Sequence, residues 1–501
     1  MKTKSIWEGT APKPATFMAL KGDVTADVVI IGGGITGLTA ALLLSDAGKK
    51  VVLLEAMRIG LGTTGNSTGN LYVTVDEHLS GIKKKWNAEV MKAVVQSRTA
   101  AIDLIEQNVQ RFSIDCHFVR TTFNYFAENL TDESEEFLRE EKAALTECGL
   151  HPEVSDGDGR LPFPVERLLT LPGQAQFHPL KYCQGLAAAI ATNCQIYENS
   201  AVLDYDAAAG TVRTAQGKVT ANAILLATHV PKGVFAIHGV LGPYREFGVA
   251  AEVKTPGIQD GIFWGLDLPK HSVRAFSDGA KKYVMVIGDK FKTGQQGDGA
   301  AYVERLETFL KNHFEIGIFS YLWGGQQYRS ADGLPYIGKH GDKLYFLTGF
   351  ASDGLVYGTL AARIVSDKIL GKDNPWAEMY RADRHTPLKS AKQVVKETAN
   401  NMAQYLKDAP WNVDAASLAA IHPGEGKLLE SSGEKLAVYK DETGHVHALS
   451  AVCTHMKCIV DWNDVEKTWD CPCHGSRFQV NGDVIEGPAL VPLPTKEIHK
   501  H

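Results

Sequence analysis

Two short segments combine thiols and imidazoles at ligand spacing: Cys453-Thr454-His455-Met456-Lys457-Cys458 and Cys471-Pro472-Cys473-His474-Gly475-Ser476. Each supplies one Cys and one His, as C-x-H in the first and C-x-x-H in the second. Two thiolates with two imidazoles suit an iron–sulfur centre in which sulfur holds one iron and nitrogen the other. The same four side chains satisfy tetrahedral zinc. Zinc knuckles usually pair Cys with Cys and His with His, whereas both segments here are mixed. One further cysteine stands in each segment, Cys458 and Cys473.

The mixed knuckles, the leftover cysteines, the Gly475-Ser476 step and Gly487-Pro488-Ala489 downstream resemble the disulfide-bearing branch of the Rieske [2Fe–2S] family. That resemblance implies Cys453, His455, Cys471 and His474 as ligands, and a Cys458–Cys473 bridge stapling the two loops. Two positions depart from the family pattern. Lys457 stands where the family usually has Gly, and Phe478 where high-potential members have Tyr. Ser476 can still donate a hydrogen bond toward the cluster but Phe478 cannot, so the potential is expected below the top of the Rieske range.

A one-electron carrier needs a source of electrons, and the first half of the chain offers one. Asp27-Val28-Val29-Ile30-Ile31 reads as a buried strand leading into Gly32-Gly33-Gly34-Ile35-Thr36-Gly37. Leu38 to Ala47 carries a helical apolar pattern ended by Gly48, and Val51 to Leu54 reads as a second strand ending at Glu55. Gly32 allows the tight turn, Gly34 a close approach to pyrophosphate, and Gly37 helix-to-sheet packing. The helix start offers free N–H groups to phosphate, and Glu55 can accept from a ribose diol. This βαβ unit alone does not choose between NAD and FAD.

Later segments bear on that choice. Gly60 to Ser67, with Thr63 and Thr64, forms a small polar glycine-rich loop; Ala223 to Thr228 reads as a buried strand ending in Ala227 and Thr228. Asp332 to Gly338 and Leu347 to Leu355 follow, the latter opening a helix from about Val356 to Lys368. In order and spacing, roughly residues 20–375 resemble the D-amino-acid oxidase and glycine/sarcosine oxidase superfamily of FAD enzymes. The resemblance implies that Gly349, Gly354, Leu355 and Val356 lie against the flavin ring. Some relatives attach FAD covalently through a His in the loop after the acid, or through a later Cys. Here the loop has Asn66, and Cys183 and Cys194 lie in or beside a helical stretch, so non-covalent FAD is expected. The strand Tyr283 to Gly288 aligns with one that carries an oxygen-activating Lys in sarcosine-type oxidases. No Lys lies inside it, although Lys281, Lys282, Lys290 and Lys292 flank it; slow reaction with O₂ is therefore expected.

The expected fold is an α/β Rossmann-type, glutathione-reductase-like FAD-binding domain with an antiparallel-sheet substrate domain, followed by a small all-β Rieske domain. The expected bounds are 1–375 for the oxidoreductase, with a substrate part at roughly 178–344, then a helical linker at 376–412 and the cluster domain at 413–501. Asp408 to Asn412 breaks the linker helix, and turns at Ser432-Gly433, Thr443-Gly444 and Asn481-Gly482 punctuate the last part. Candidate substrate-pocket residues are Tyr244, Arg245, Gln326, Tyr328 and Arg329. Arg329 can clamp a carboxylate or simply pair with Asp332; His229 fills space beside the adenosine.

Bulk composition limits the alternatives. The 501 residues carry 52 Lys and Arg against 58 Asp and Glu, net −6, which disfavours nucleic-acid binding. No run of eighteen apolar residues predicts a membrane span, and the charged start without an apolar h-region points to a cytoplasmic protein. The remaining cysteines, Cys116, Cys148, Cys183 and Cys194, have no metal spacing and read as small buried hydrophobes. The expected function is oxidation of an amine or amino acid at the C–H beside nitrogen. Electrons then leave through the cluster to an external acceptor: a quinone, a carrier protein or a partner enzyme. The alternative is a reductase component passing electrons from NAD(P)H to a partner; only one dinucleotide motif is present for it.

Overall fold

The computed structural model describes residues 3–254, 257–279, 281–384, 386–405, 418–431 and 433–498. Its first layer is an eight-stranded sheet centred on Gly22–Ile31. That strand runs parallel to Gly217–Leu226 on one side and to Val51–Leu54 on the other, with Ile31 opposite Leu54 and Leu226. Cys194–Tyr197 extends the parallel run beyond Val51–Leu54, and Leu344–Thr348 extends it beyond Gly217–Leu226. Strands covered on both faces need continuous apolar sequence, and Val28 to Ile31 and Val51 to Leu54 are buried throughout. The helices Ile35–Asp46 and Gly354–Ile369 pack on this sheet and against each other.

A nine-stranded sheet stands beside it. From one edge it runs Ile316–Ser330, Leu241–Val253, Lys281–Lys292, His271–Asp278, Ile262–Gly265, Val119–Ala127, Arg167–Gln176 and Asn70–Leu71, with Glu153–Ser155 attached to Arg167–Gln176. Every pairing is antiparallel except Ile262–Gly265 with Val119–Ala127. Several of its strands precede residue 178, while the strands from Cys194 to Leu226 return to the first sheet. The strand expected at Tyr283 to Gly288 is longer, so all four flanking lysines lie inside it. Antiparallel pairing with Leu241–Val253 and its continuation to Tyr244 opposite Lys292 carries the ladder past the apolar run.

The helix Pro387–Tyr405 follows. Its polar side faces the protein: Glu397 is 2 % exposed and meets Lys292 and Tyr244. Leu388, Val395 and Met402 are exposed instead. The helix-breaking segment at 408–412, the boundary at 412/413 and Ser432 lie outside the described residues. Two small antiparallel sheets form the last part: Glu425–Ser431, Glu434–Lys440 and Val446–Ser450, then Asp461–Asn463, Thr468–Asp470, Arg477–Phe478 and Val484–Glu486. No helix among the described residues is long and apolar enough to cross a membrane.

Candidate active site and metal centre

The glycine turn is packed too tightly for side chains. Gly32 has φ +112°, and a Cβ there would lie 2.4 Å from the Ala227 carbonyl oxygen; a Cβ on Gly37 would lie 1.9 Å from that of Gly32. This closeness brings the start of the helix Ile35–Asp46 over the strand ends. Gly34 caps that helix without a side chain, and Ile35 N–H donates to Thr64 Oγ1 at 3.2 Å. The Glu55 carboxylate accepts from Gly33 N–H at 2.7 Å and Met57 N–H at 2.8 Å. Burial pushes its pKa up, against the pull of those two N–H groups.

These residues line a cavity of about 1060 Å³. Gly32, Gly34, Thr36, Glu55, Thr63 and Thr64 form its wall at one end, with Ala227, Thr228, Gly354, Leu355 and Val356 contributing further along. Gly37 and Gly349 stand behind the wall. The cavity is a cradle of backbone with a helix N-terminus and an acid at the second strand's end, which fits a dinucleotide.

Farther along, charged side chains from the large sheet converge on Asp76 and Glu77. Arg329 pairs with Asp76 at 3.1 Å and with Glu77 at 2.9 Å. Asp332 is taken instead by Arg384 at 2.7 Å. Lys290 also pairs with Asp76. Burial opposes ionisation of Asp76, but Lys290 and Arg329 hold its pKa well below the usual carboxylate range. Glu246 lines the cavity here and has no hydrogen-bond or ion-pair partner among the described residues; burial raises its pKa.

Of the five pocket candidates, Arg245, Gln326 and Arg329 reach the cavity wall. Tyr244 lies against Glu397, with its hydroxyl 3.4 Å from the carboxylate. Tyr328 is 1 % exposed and turned to the C-terminal domain. Asp76 and Glu246 were not singled out in the sequence, and Lys290 only as one of the lysines flanking the Tyr283 to Gly288 strand. No local pattern marks them, because their meeting depends on strand pairing across the sheet.

In the C-terminal domain the two Cys–His loops face each other. The His455 and His474 rings lie 5.1 Å apart, and Cys453 and Cys471 are in side-chain contact. Cys458 and Cys473 form a disulfide, with Cα atoms 6.4 Å apart. The sulfurs of Cys458, Cys471 and Cys473 lie within 4.8 Å of one another, but two of the three are consumed in that bridge. The Cys453 thiol is drawn down to about 7, first by Cys471 and, against burial, by the His455 N–H and the Ser476 hydroxyl. Burial holds both imidazoles near 4, so they are neutral as ligands must be. His455 donates from Nε2 to the Gly233 carbonyl at 3.1 Å, which leaves its buried Nδ1 without a partner. An orphaned ring nitrogen beside two buried thiols fits a metal centre. Lys457 has φ +64°, the left-handed conformation that favours Gly at this position. Phe478 is fully buried and brings no hydroxyl.

The cluster loops are seated on the wall of the large cavity. Gly475 O accepts from Gln326 Nε2 at 2.8 Å, and Tyr328 Oη donates to Gly487 O at 3.0 Å. Arg245 pairs with Glu466, which Arg477 also meets at 3.1 Å. His229 Nδ1 lies 2.9 Å from Glu486 Oε1, so His229 holds the C-terminal domain rather than merely filling space. His238, 4.8 Å from the His455 ring, spends both nitrogens on Pro231 O and Phe235 N–H and is not free to ligate.

The FAD dependent oxidoreductase family matches residues 27–368, and the Rieske [2Fe–2S] domain matches residues 411–497. A putative Rieske 2Fe-2S iron-sulfur protein, YhfW, of Bacillus subtilis is 29% identical over 98% of this chain and 97% of its own length. Gamma-glutamylputrescine oxidoreductase of Escherichia coli is 28% identical over 77% of this chain and 92% of its own. The crystal structure of glycine oxidase from Geobacillus kaustophilus superposes with a TM-score of 0.60 at 20% identity, covering 72% of this chain and all of that one. The chain therefore belongs to the FAD dependent oxidoreductase family and carries a Rieske domain, with FAD and a [2Fe–2S] cluster as its cofactors.

Proposed function

We propose that this protein oxidises a small amine or amino acid at the C–H beside nitrogen and sends the electrons through its Rieske domain to an external acceptor. FAD supplies a two-electron acceptor for the substrate and the cluster a one-electron outlet. The observation that carries the reading is the seating of the cluster loops on the cavity wall through Gly475, Gly487 and Glu486. Cys453, His455, Cys471 and His474 hold the cluster, and the Gly32–Gly37 turn, Glu55, Thr63 and Thr64 hold FAD. FAD is bound without a covalent link: Asn66 occupies the loop, and burial pushes the Cys194 thiol to about 12. At the substrate end, the unpartnered Glu246 carboxylate suits a substrate ammonium, and Arg329 remains oriented by Asp76 and Glu77. The relatives named for gamma-glutamylputrescine and for glycine support a nitrogen compound as substrate.

The test is an anaerobic single turnover across a panel of amines and amino acids, with NADH as a separate arm. Flavin absorbance and the reduced-cluster EPR signal are followed together. An amine should bleach the flavin and then raise the cluster signal; in Cys471→Ser only the bleaching should remain. Bleaching by NADH and by no amine would replace this reading with a reductase component. A cluster that stays oxidised after the flavin bleaches would remove it from the electron path.

A further inference from the structure

We propose that the FAD pocket is a composite of both domains, in which Glu486 of the Rieske domain is a cofactor-positioning residue. The inference rests on FAD occupying the large cavity and on no particular substrate. Glu486 and Gly487 line that cavity together with Thr63, His229 and Lys232 of the oxidoreductase domain. A carboxylate only accepts, so the Thr63 hydroxyl, at 3.3 Å, and His229 Nδ1–H, at 2.9 Å, both donate to Glu486 Oε1. One side chain from the far end of the sequence thus sets a hydroxyl rotor and an imidazole tautomer at the cavity wall.

The backbone beneath points the same way. His229 has φ +67°, unusual for a residue with a side chain, and persists only where surroundings hold it. Three contacts do so: Glu486 on Nδ1, Thr348 Oγ1 donating to the His229 carbonyl at 2.8 Å, and the Tyr328 ring at 4.9 Å. Tyr328 is itself fixed by the Gly487 carbonyl, next to Glu486. Burial opposes ionisation of Glu486, but His229, Arg477 and Arg245 keep its pKa below the ordinary value, so it is an anion. Lys232 interacts with both this carboxylate and Glu55, the acid at the end of the second strand. The loop carrying His229 and Lys232 is therefore held between the dinucleotide fold and the Rieske domain. FAD retention and Rieske seating must then be linked, each strengthening the other.

The experiment uses full-length protein with its cluster assembled. FAD is removed and rebound, its dissociation constant is read from fluorescence quenching, and the bound flavin spectrum and cluster EPR are recorded. Glu486→Ala should weaken FAD at least tenfold and shift the flavin bands while the cluster EPR is unchanged. Glu486→Gln, which keeps an oxygen acceptor, should lose about threefold, as should Thr63→Val, which removes one donor. Gln296→Ala breaks a different interdomain contact, with the Trp462 carbonyl at 3.1 Å and outside the cavity, and should leave the FAD constant unchanged. A constant within twofold of wild type in Glu486→Ala overturns the proposal. So does an equal loss in Gln296→Ala, which would assign the effect to docking in general. If Glu486→Ala does not fold, unchanged FAD constants and spectra in Glu486→Gln and Thr63→Val overturn it. A Gly34→Val variant that binds FAD as tightly as the wild type would refute the cavity assignment instead.

Discussion

Tyr328→Phe removes one oxygen from the interdomain contact and leaves the ring in place. The hydroxyl is buried, accepts from Gln326 Nε2 at 2.8 Å and donates to Gly487 O at 3.0 Å. Gly475 O keeps its bond from Gln326 in the variant, whereas Gly487 O loses its Tyr328 donor. A buried acceptor left without a donor costs about 1–3 kcal/mol. At about 2 kcal/mol the ratio of docked to undocked domain falls about thirtyfold. Gly233 N–H, which donates across the interface to Pro488 O at 3.0 Å, reports that opening. Hydrogen exchange at Gly233 should therefore speed up about thirtyfold, while exchange in the helix Ile35–Asp46 stays the same. Exchange at Gly233 within twofold of wild type would show that this hydroxyl does not hold the domains together.

Three further outcomes are expected. Gly475→Ala must accommodate a Cβ at φ +79° and 2.7 Å from Pro243 Cβ; the backbone strain weighs on docked and undocked forms alike, whereas the clash opposes docking by about 1–3 kcal/mol, so exchange at Gly233 should speed up at least about fivefold, and unchanged protection would contradict the packing. Gly34→Val places bulk where a Cβ alone lies 3.0 Å from Thr64 Oγ1; flavin titration should show FAD weakened at least tenfold with iron content retained, and unaltered affinity would dissociate this turn from the cofactor. The Asp76 pKa is depressed in the fold, so its carboxylate adds stability that is complete above about pH 3.9 and lost as pH falls through the folded value. Urea midpoints of wild type and Asp76→Asn should accordingly differ by a constant amount down to about pH 4 and converge below it, whereas divergence in acid would reverse the sign of the argument.

The parts of the molecule legible in sequence are those whose chemistry is local. The glycine turn, Glu55 and the two Cys–His loops each lie within a few consecutive residues, and their spacing encodes their geometry. The large sheet was harder to read because Val119–Ala127 and Arg167–Gln176 join it from before the expected substrate region. Gln326, Tyr328 and Arg245 look like pocket residues along the strand, yet Tyr328 and Gln326 meet Gly475 from nearly 150 residues away. The linker helix shows the same limit. Nothing in its own run of residues says which face is covered, and Glu397 turns inward because Lys292 waits there. Pairings of that separation leave no periodic trace.

The orientation of the two imidazoles also bears on where a partner must approach. His455 is bonded to the Gly233 carbonyl, and His474 is 7 % exposed, with its ring 5.9 Å from that of His238. The two imidazoles thus face inward, toward the FAD-binding domain. What the first ligand loop presents to solvent is Met456 and Lys457. An acceptor of the proposed kind would meet a thioether and a cation there, which would favour anionic over cationic carriers. A partner that needs an imidazole edge would first have to lift the Rieske domain, breaking the Gly233, Gln326, Tyr328 and Arg245 contacts together. For the proposed electron path, the covered imidazole face leaves the Met456–Lys457 side as the exit.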